Sequence, residues 1–210
     1  VGGNLTLTSG ASAGITDSGT VTVAGNLVAT TDANNGVIDL GTTTVTGTMD
    51  LTSDGSGNVT IDNATTDIVL IASEIGGNLT LTTGNASGIT DTGTVTVGGN
   101  LVATTDANNG VITLDSMAVD GTFTLAPNST GAVTIVNDAG LNLAASTLGG
   151  TFSGTATTGN ITDSGALAIT GTTTLVTSAN DATIALDTTT NAFTGALTIT
   201  TNDASGTDAD

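Results

Sequence analysis

Apolar residues alternate with threonine in short runs: Leu5-Thr6-Leu7, Val21-Thr22-Val23, Leu79-Thr80-Leu81, Val95-Thr96-Val97. Alternation at period two marks a strand with one buried face. Each run is bounded by Gly, Asn, Asp or Ser, the residues of tight turns. The runs also recur in a frame. Val23-Ala24-Gly25-Asn26-Leu27-Val28-Ala29 reads as a template: apolar, any, Gly, small polar, apolar, any, apolar or small. It starts again at Val1, Val45, Ile75, Val97, Val119, Leu148, Ile169 and Phe193. Most starts are one regular step apart; the steps from Val45 to Ile75 and from Val119 to Leu148 are longer. Fourteen residues after the first six starts come Ile15, Val37, Val59, Ile89, Val111 and Val133, all β-branched.

An isolated three-residue strand is unstable. Stacked in register on neighbouring coils, it gains parallel hydrogen bonds on two sides and an apolar column within. The pattern therefore predicts an all-β parallel β-helix, a β-solenoid of about nine coils of about 22–30 residues. At ~4.8 Å per coil it is about 40 Å long. The template glycines form a column at one corner, where a Cβ would clash or φ turns positive. Phe123 and Phe152 share the template position of Leu5, Leu27 and Met49, so they belong to the core. The extra residues of the third coil, about Asp62 to Thr66, are expected to bulge out as a loop before Ile68-Val69-Leu70. Three β-sandwich domains are the rival architecture, but a sandwich does not require a fixed offset of fourteen.

The solenoid is read as one domain over residues 1–210, built from three internal repeats, 1–74, 75–147 and 148–210. Residues 1–40 and 75–114 share 32 identities, and the third repeat is shorter and diverged.

Composition then removes most chemistry. The chain has no Cys, His, Lys, Arg, Trp or Tyr, and a net charge of −19. Without His or Cys there is no Ser-His or Cys-His nucleophile and no imidazole or thiolate metal site. No catalytic residue is assigned, and no enzyme is expected. Nucleic acid and anionic membranes repel such a charge. No apolar run approaches the roughly 20 residues of a membrane span, so no membrane insertion is expected. The 50 threonines, with Val and Ile, favour strands over disorder.

The remaining candidates are oxygen ligands and hydroxyls. Asp17, Asp91 and Asp163 recur in Ile-Thr-Asp-Ser/Thr-Gly, and recurrence argues for a structural role in their own turns. Asp32, Asn34, Asp54, Asp106 and Asn108 lie in turns rich in hard oxygen, the ligand type of calcium, and calcium is the one cofactor considered. Asn34 and Asn108 also suit a left-handed backbone. Thr6 and Thr8, Thr20 and Thr22, Thr80 and Thr82, and Thr94 and Thr96 form Thr-x-Thr pairs that could face ice. Asn4, Asn63 and Asn128 begin Asn-x-Ser/Thr sequons that could carry glycans.

The phrases Gly-Asn-Leu-Thr-Leu, Gly3 to Leu7, and Gly-Thr-Val-Thr-Val, Gly19 to Val23, resemble the shafts of filamentous haemagglutinin-type adhesins and other giant bacterial surface β-helix proteins. The resemblance spans nearly the whole chain. It implies a long right-handed β-helical shaft outside the cell. The expected function is structural and extracellular: a solenoid shaft or fibre subunit of a surface filament, adhesin or biofilm matrix. The alternatives are a calcium-stabilised surface-layer or adhesin module and an ice-binding Thr-rich β-helix. The expected partner is another copy stacked end to end, or further repeats of a longer chain. Val1 opens inside a template without a cap, and the far end is an acidic tail with Asp203, Asp208 and Asp210.

Overall fold

The computed structural model describes residues 1–202, so the acidic tail with Asp203, Asp208 and Asp210 lies outside the described residues. The described chain is a β-solenoid of about nine turns whose strands pair in parallel, one coil on the next, as in Leu5 beside Leu27 and Leu27 beside Met49. Among the described residues, no helix is long and apolar enough to cross a membrane.

Each coil has three sides, because the turn residues fall at three places per template. The first long sides are β1 (Leu5–Ser9), β4 (Leu27–Thr31) and β7 (Met49–Ser53), which open sheet A. The middle sides are β2 (Ile15–Thr16), β5 (Ile38–Leu40) and β8 (Val59–Asp62), which open sheet B. The short sides, β3 (Val21–Val23) and β6 (Thr43–Val45), pair with each other.

After β8 the sides change roles. β9 (Ile68–Leu70) and β10 (Ser73–Ile75) both stack on β7, Leu70 beside Met49 and Glu74 beside Thr52. One long side has become two. The next template strand, β11 (Leu79–Thr83), stacks on β8, with Leu79 beside Val59. The long side therefore moves to sheet B. It continues there as β14 (Leu101–Thr105) and β16 (Thr122–Ala126), while β12 (Ile89–Asp91), β13 (Val95–Val97) and β15 (Ile112–Val119) extend sheet A.

A second junction reverses the exchange. β17 (Val133–Asn137) stacks on β15, and β18 (Leu141–Leu143) stacks on β16. β19 (Ser146–Leu148) opens a new column that β22 (Leu167–Ile169) and β25 (Ala192–Phe193) continue. β21 (Ile161–Asp163) and β24 (Ile184–Ala185) extend sheet B. The long side is back on sheet A as β20 (Phe152–Ala156), β23 (Thr173–Asn180) and β26 (Leu197–Asn202).

Two sequence expectations are corrected here. The long template step from Val45 to Ile75 is not a coil with a bulge. Across that junction Val59 stacks on Leu79, Met49 on Leu70 and Thr52 on Glu74, each pair separated by one ordinary coil of chain. The surplus is one side of a coil, and it advances the template to the next side. The offset of fourteen also fails in two coils. Ile15 stacks on Ile38 and Ile89 on Ile112, while Val37 and Val111 lie outside the strands. Two consecutive left-handed asparagines, at 34–35 and 108–109, lengthen those turns by one residue.

The core is one continuous apolar stack from Val23 to Leu175. Phe123 and Phe152 are buried in it, and Phe193 packs against its end. Gly154 faces Phe152 from within β20, and a Cβ there would meet the ring at 3.0 Å. The template glycines form the expected tight corners. A Cβ on Gly25, Gly47, Gly99 or Gly121 would run into the side-chain oxygen of Asn4, Asn26, Asn78 or Asn100 in the coil before.

Candidate functional site

Where asparagine follows the template glycine, at Asn4, Asn26, Asn78 and Asn100, its side chain joins coils. Asn4 Oδ1 accepts the N–H of Asn26 at 2.9 Å, and Asn26 Oδ1 accepts that of Thr48 at 3.1 Å. Asn78 and Asn100 of the second repeat pass the same bond upward at 2.8 and 2.9 Å, and Asn58, in the turn before β8, makes it to Asn78 at 2.8 Å. Glycine and asparagine are thus one device: the missing Cβ leaves room for the amide below it. The "small polar" template position carried this signal, but its pairing with glycine was not visible in one coil.

The recurring aspartates act in the same way. Asp17 Oδ2 accepts its own turn's Gly19 N–H at 3.1 Å, as expected, and Oδ1 accepts the Gly41 N–H at 2.9 Å. Asp91 Oδ1 accepts the N–H of Asp115 and Asp163 Oδ1 that of Asp187, at 2.8 and 2.9 Å. The three differ at the second oxygen. Asp163 Oδ2 takes hydrogen bonds from Thr188 N–H and Asn191 Nδ2. Asp91 Oδ2 is buried without a partner.

These environments push the two carboxyls apart. Burial raises Asp91, and the neighbouring Asp115 charge adds to it, against the backbone hydrogen bonds from 115 and 116. Burial also acts to raise Asp163, but the hydrogen bonds from Asn191, Thr188 and Asp187 overcome it and lower the group. Linkage gives opposite signs. Ionised Asp91 burdens the fold above its native pKa, and falling pH relieves it. Asp163 supports the fold above the ordinary aspartate range and loses that support in acid. Asp91→Asn is expected to raise the melting temperature near neutral pH, with the gain shrinking toward the ordinary aspartate pKa of 3.8. Asp163→Asn is expected to lower it, with the loss shrinking in acid. Melting curves from acid to neutral pH check both, and the same sign for the two variants would refute the assignment.

The calcium candidates do not form one column. Asp32, Asn34 and Asp54 lie at the corner after sheet A, whereas Asp106 and Asn108 lie at the corner after sheet B. The intervening junction separates them. Asn34 (φ 60°) and Asn108 (φ 57°) are left-handed, as expected. Their Nδ2 groups donate to Gly10 O at 2.8 Å and Gly84 O at 2.6 Å in the coil before. Asp32 and Asp54, with Glu74 of the next coil, line one open depression. Among the described residues, no three acidic side chains are grouped to hold a metal ion. If the Asp-Asn turns bind calcium through their side-chain and backbone oxygens, millimolar calcium raises the melting temperature more than magnesium at equal ionic strength, and Asp106→Ala removes part of that rise. No difference between calcium and EDTA leaves them as solvent-facing turns.

Of the sequon residues Asn4, Asn63 and Asn128, Asn63 is closed to modification because it is fully buried. Its Oδ1 accepts the Val45 N–H at 2.8 Å, and its Nδ2 donates to Val45 O at 3.0 Å and Asp67 O at 2.6 Å. Asn137 repeats this on Val119, at 2.8 and 3.0 Å, with a third bond to Gly140 O. A side-chain amide here replaces the peptide of a missing strand, ending the β6 column and the inner edge of β15. Ser73 and Ser146 complete each junction: their hydroxyls accept the N–H of Leu51 and Leu125 and donate to Ile71 O and Ala144 O. Sequence reasoning missed all four. The available signal was their recurrence from one repeat to the next, Asn63 to Asn137 and Ser73 to Ser146, where the template step lengthens.

A family model described as repeats of unknown function (DUF5649) matches residues 56–126 and 130–200, more than half of the chain. Each of the two matches contains one junction asparagine. No curated protein and no solved structure matches the chain.

Proposed function

The chain belongs to the family of repeats of unknown function (DUF5649), and on that premise we propose that it is a structural protein, a length of β-solenoid shaft or fibre subunit displayed outside the cell. The observation that carries this reading is the ladder of sheet A, which runs from β1 to β26 through both junctions. Recurring polar side chains, the template asparagines and Asp17, Asp91 and Asp163, are spent on joining coils. Such a stack is built for length and stiffness. The absence of Lys and Arg leaves trypsin no cleavage site, which suits a protein exposed to proteases. The partner proposed is more of the same fold, a second copy or further repeats, stacked along the axis. Acidic repulsion opposes this contact, so salt favours it.

Immunogold electron microscopy of producing cells tests the reading, together with negative staining of the purified chain with and without salt. Gold along surface fibres and salt-dependent rods support it. Gold confined to the cell interior would overturn the location, and globular particles would overturn the shaft.

One observation favours ice as a second reading. On the outer face of sheet A, Thr90, Thr113, Thr134, Ser153, Thr174 and Thr198 stack in register over six coils. The column crosses the second junction, so template counting did not see it. Thermal hysteresis lost on Thr134→Tyr with Thr174→Tyr would support this reading, and no hysteresis in the parent chain would remove it.

A further inference from the structure

We infer that Asn63 and Asn137 set the face on which each repeat presents its long side, so that tandem repeats of this family show their long sides alternately on two faces of the shaft. Repeats that stacked template on template would place Leu79 over Met49. The chain places Leu79 over Val59 on sheet B, and the first template strand after the second junction, with Phe152, over Val133 on sheet A. The exchange occurs where an asparagine ends a column. Asn63 and Asn137 hold the same place in the two family matches, which start at positions 56 and 130. The device therefore belongs to the repeat itself.

Its physics is local. Val45 and Val119 each present a buried N–H and C=O toward the next coil. A strand would satisfy both groups, and so does one primary amide, which carries a donor and an acceptor. Once the amide fills that place, the short side cannot continue. The coil keeps three sides only if another side divides, and Ser73 and Ser146 support that division by taking the orphaned N–H of the divided strand. The spatial period is therefore two repeats. Along sheet A the stacked order β1, β4, β7, β9, β12, β15, β17, β20 takes seven coil steps from one long side to its return, about 34 Å at ~4.8 Å per coil. The return is not in line. Phe152 leads back through Val133, Ile112 and Ile89 to Ile68, whereas Leu5 leads through Leu27 and Met49 to Leu70, so the column of Leu5 stands two residues out of line with Phe152. The long side creeps two residues along the strand for every two repeats, and surfaces on it recur along a slow spiral.

Cysteine cross-linking tests this in the full chain, which has no native cysteine. In-register neighbours on parallel strands lie about 4.8 Å apart, within disulfide range. Thr60→Cys with Thr80→Cys spans the first junction on sheet B, and Thr134→Cys with Ser153→Cys spans the second on sheet A. Thr8→Cys with Thr30→Cys is the pair away from both. All three are expected to oxidise readily. Adding Asn63→Leu should cut the Thr60–Thr80 yield about tenfold and spare Thr8–Thr30, and Asn137→Leu should do the same at Thr134–Ser153. Unchanged junction yields would show that the rest of the sequence sets the face. Loss at Thr8–Thr30 as well would make the asparagines general stability residues. Either result overturns the inference, and neither bears on where in or outside the cell the shaft works.

Discussion

Asn63→Leu is expected to destabilise the solenoid by about 3–6 kcal/mol, since each buried polar group left unpaired costs about 1–3 kcal/mol. The substitution orphans the N–H and C=O of Val45 and removes partners from the Thr43 hydroxyl and Asp67 O. Leucine has the same branching, with larger methyl groups in place of the amide oxygen and nitrogen, and offers neither donor nor acceptor. Water cannot substitute without opening the corner, because Val45 and Asn63 have no exposure. The loss concentrates at one junction, so the Val45 amide should exchange faster by a larger factor than amides of β1. Urea unfolding and hydrogen exchange measure both effects. A loss below about 1 kcal/mol would mean that the corner rearranges freely. The same geometry bears on insertions, which a bulging loop at Asp62 to Thr66 would have tolerated. A residue added between Asn63 and Thr66 moves the amide off Val45, so this stretch should tolerate insertion no better than β4 does.

The fold class and the core were legible because they depend on period two and on a repeat close to one coil. Leu27, Met49, Val59 and Phe123 could be placed inside from alternation alone. The exchange of sides was not legible, because a coil count assumes that equivalent residues stack on each other. Leu5, Leu27 and Met49 do so; Met49 and Leu79 do not. Nothing in the local sequence of β11 differs from β4 in kind, and the information sits in Asn63, one polar letter in a stretch that reads as a turn. Its burial follows from what Val45 lacks, a property of the neighbouring coil. The same reason hid the split of the acidic turns. Thr31-Asp32-Ala33-Asn34-Asn35-Gly36 and Thr105-Asp106-Ala107-Asn108-Asn109-Gly110 are identical in sequence but lie at different corners. Their left-handed asparagines were predictable, because φ is set locally.

Gly88→Ala is expected to cost about 2–5 kcal/mol, from about 1–2 for a left-handed alanine and about 1–3 for overpacking. Gly88 has φ +70°, and a Cβ there would run into the Val111 carbonyl oxygen, with the Val111 nitrogen and carbonyl carbon both at 2.7 Å. The obstacle is backbone and cannot rotate away. Val111 O already accepts the Ile89 N–H at 2.9 Å, while Gly88 O accepts the Ile68 N–H at 2.9 Å. Moving either strand to admit a methyl group breaks one of these rungs. Gly14 is the same position in the first coil, with φ +73° and the Val37 carbonyl in the way. Its coil has neighbours on one side only among the described residues, and Ile15 beside it is half-buried. Gly14→Ala should therefore cost less than Gly88→Ala, since the first coil can yield outward. Gly19→Ala is the neutral comparison, because nothing lies within 4 Å of a Cβ there. The expected order of urea midpoints is Gly19→Ala near the parent chain, then Gly14→Ala, then Gly88→Ala. Equal losses at 14 and 88 would show that coils unfold as one block. A neutral Gly88→Ala would contradict the stacking of Val111 on that turn.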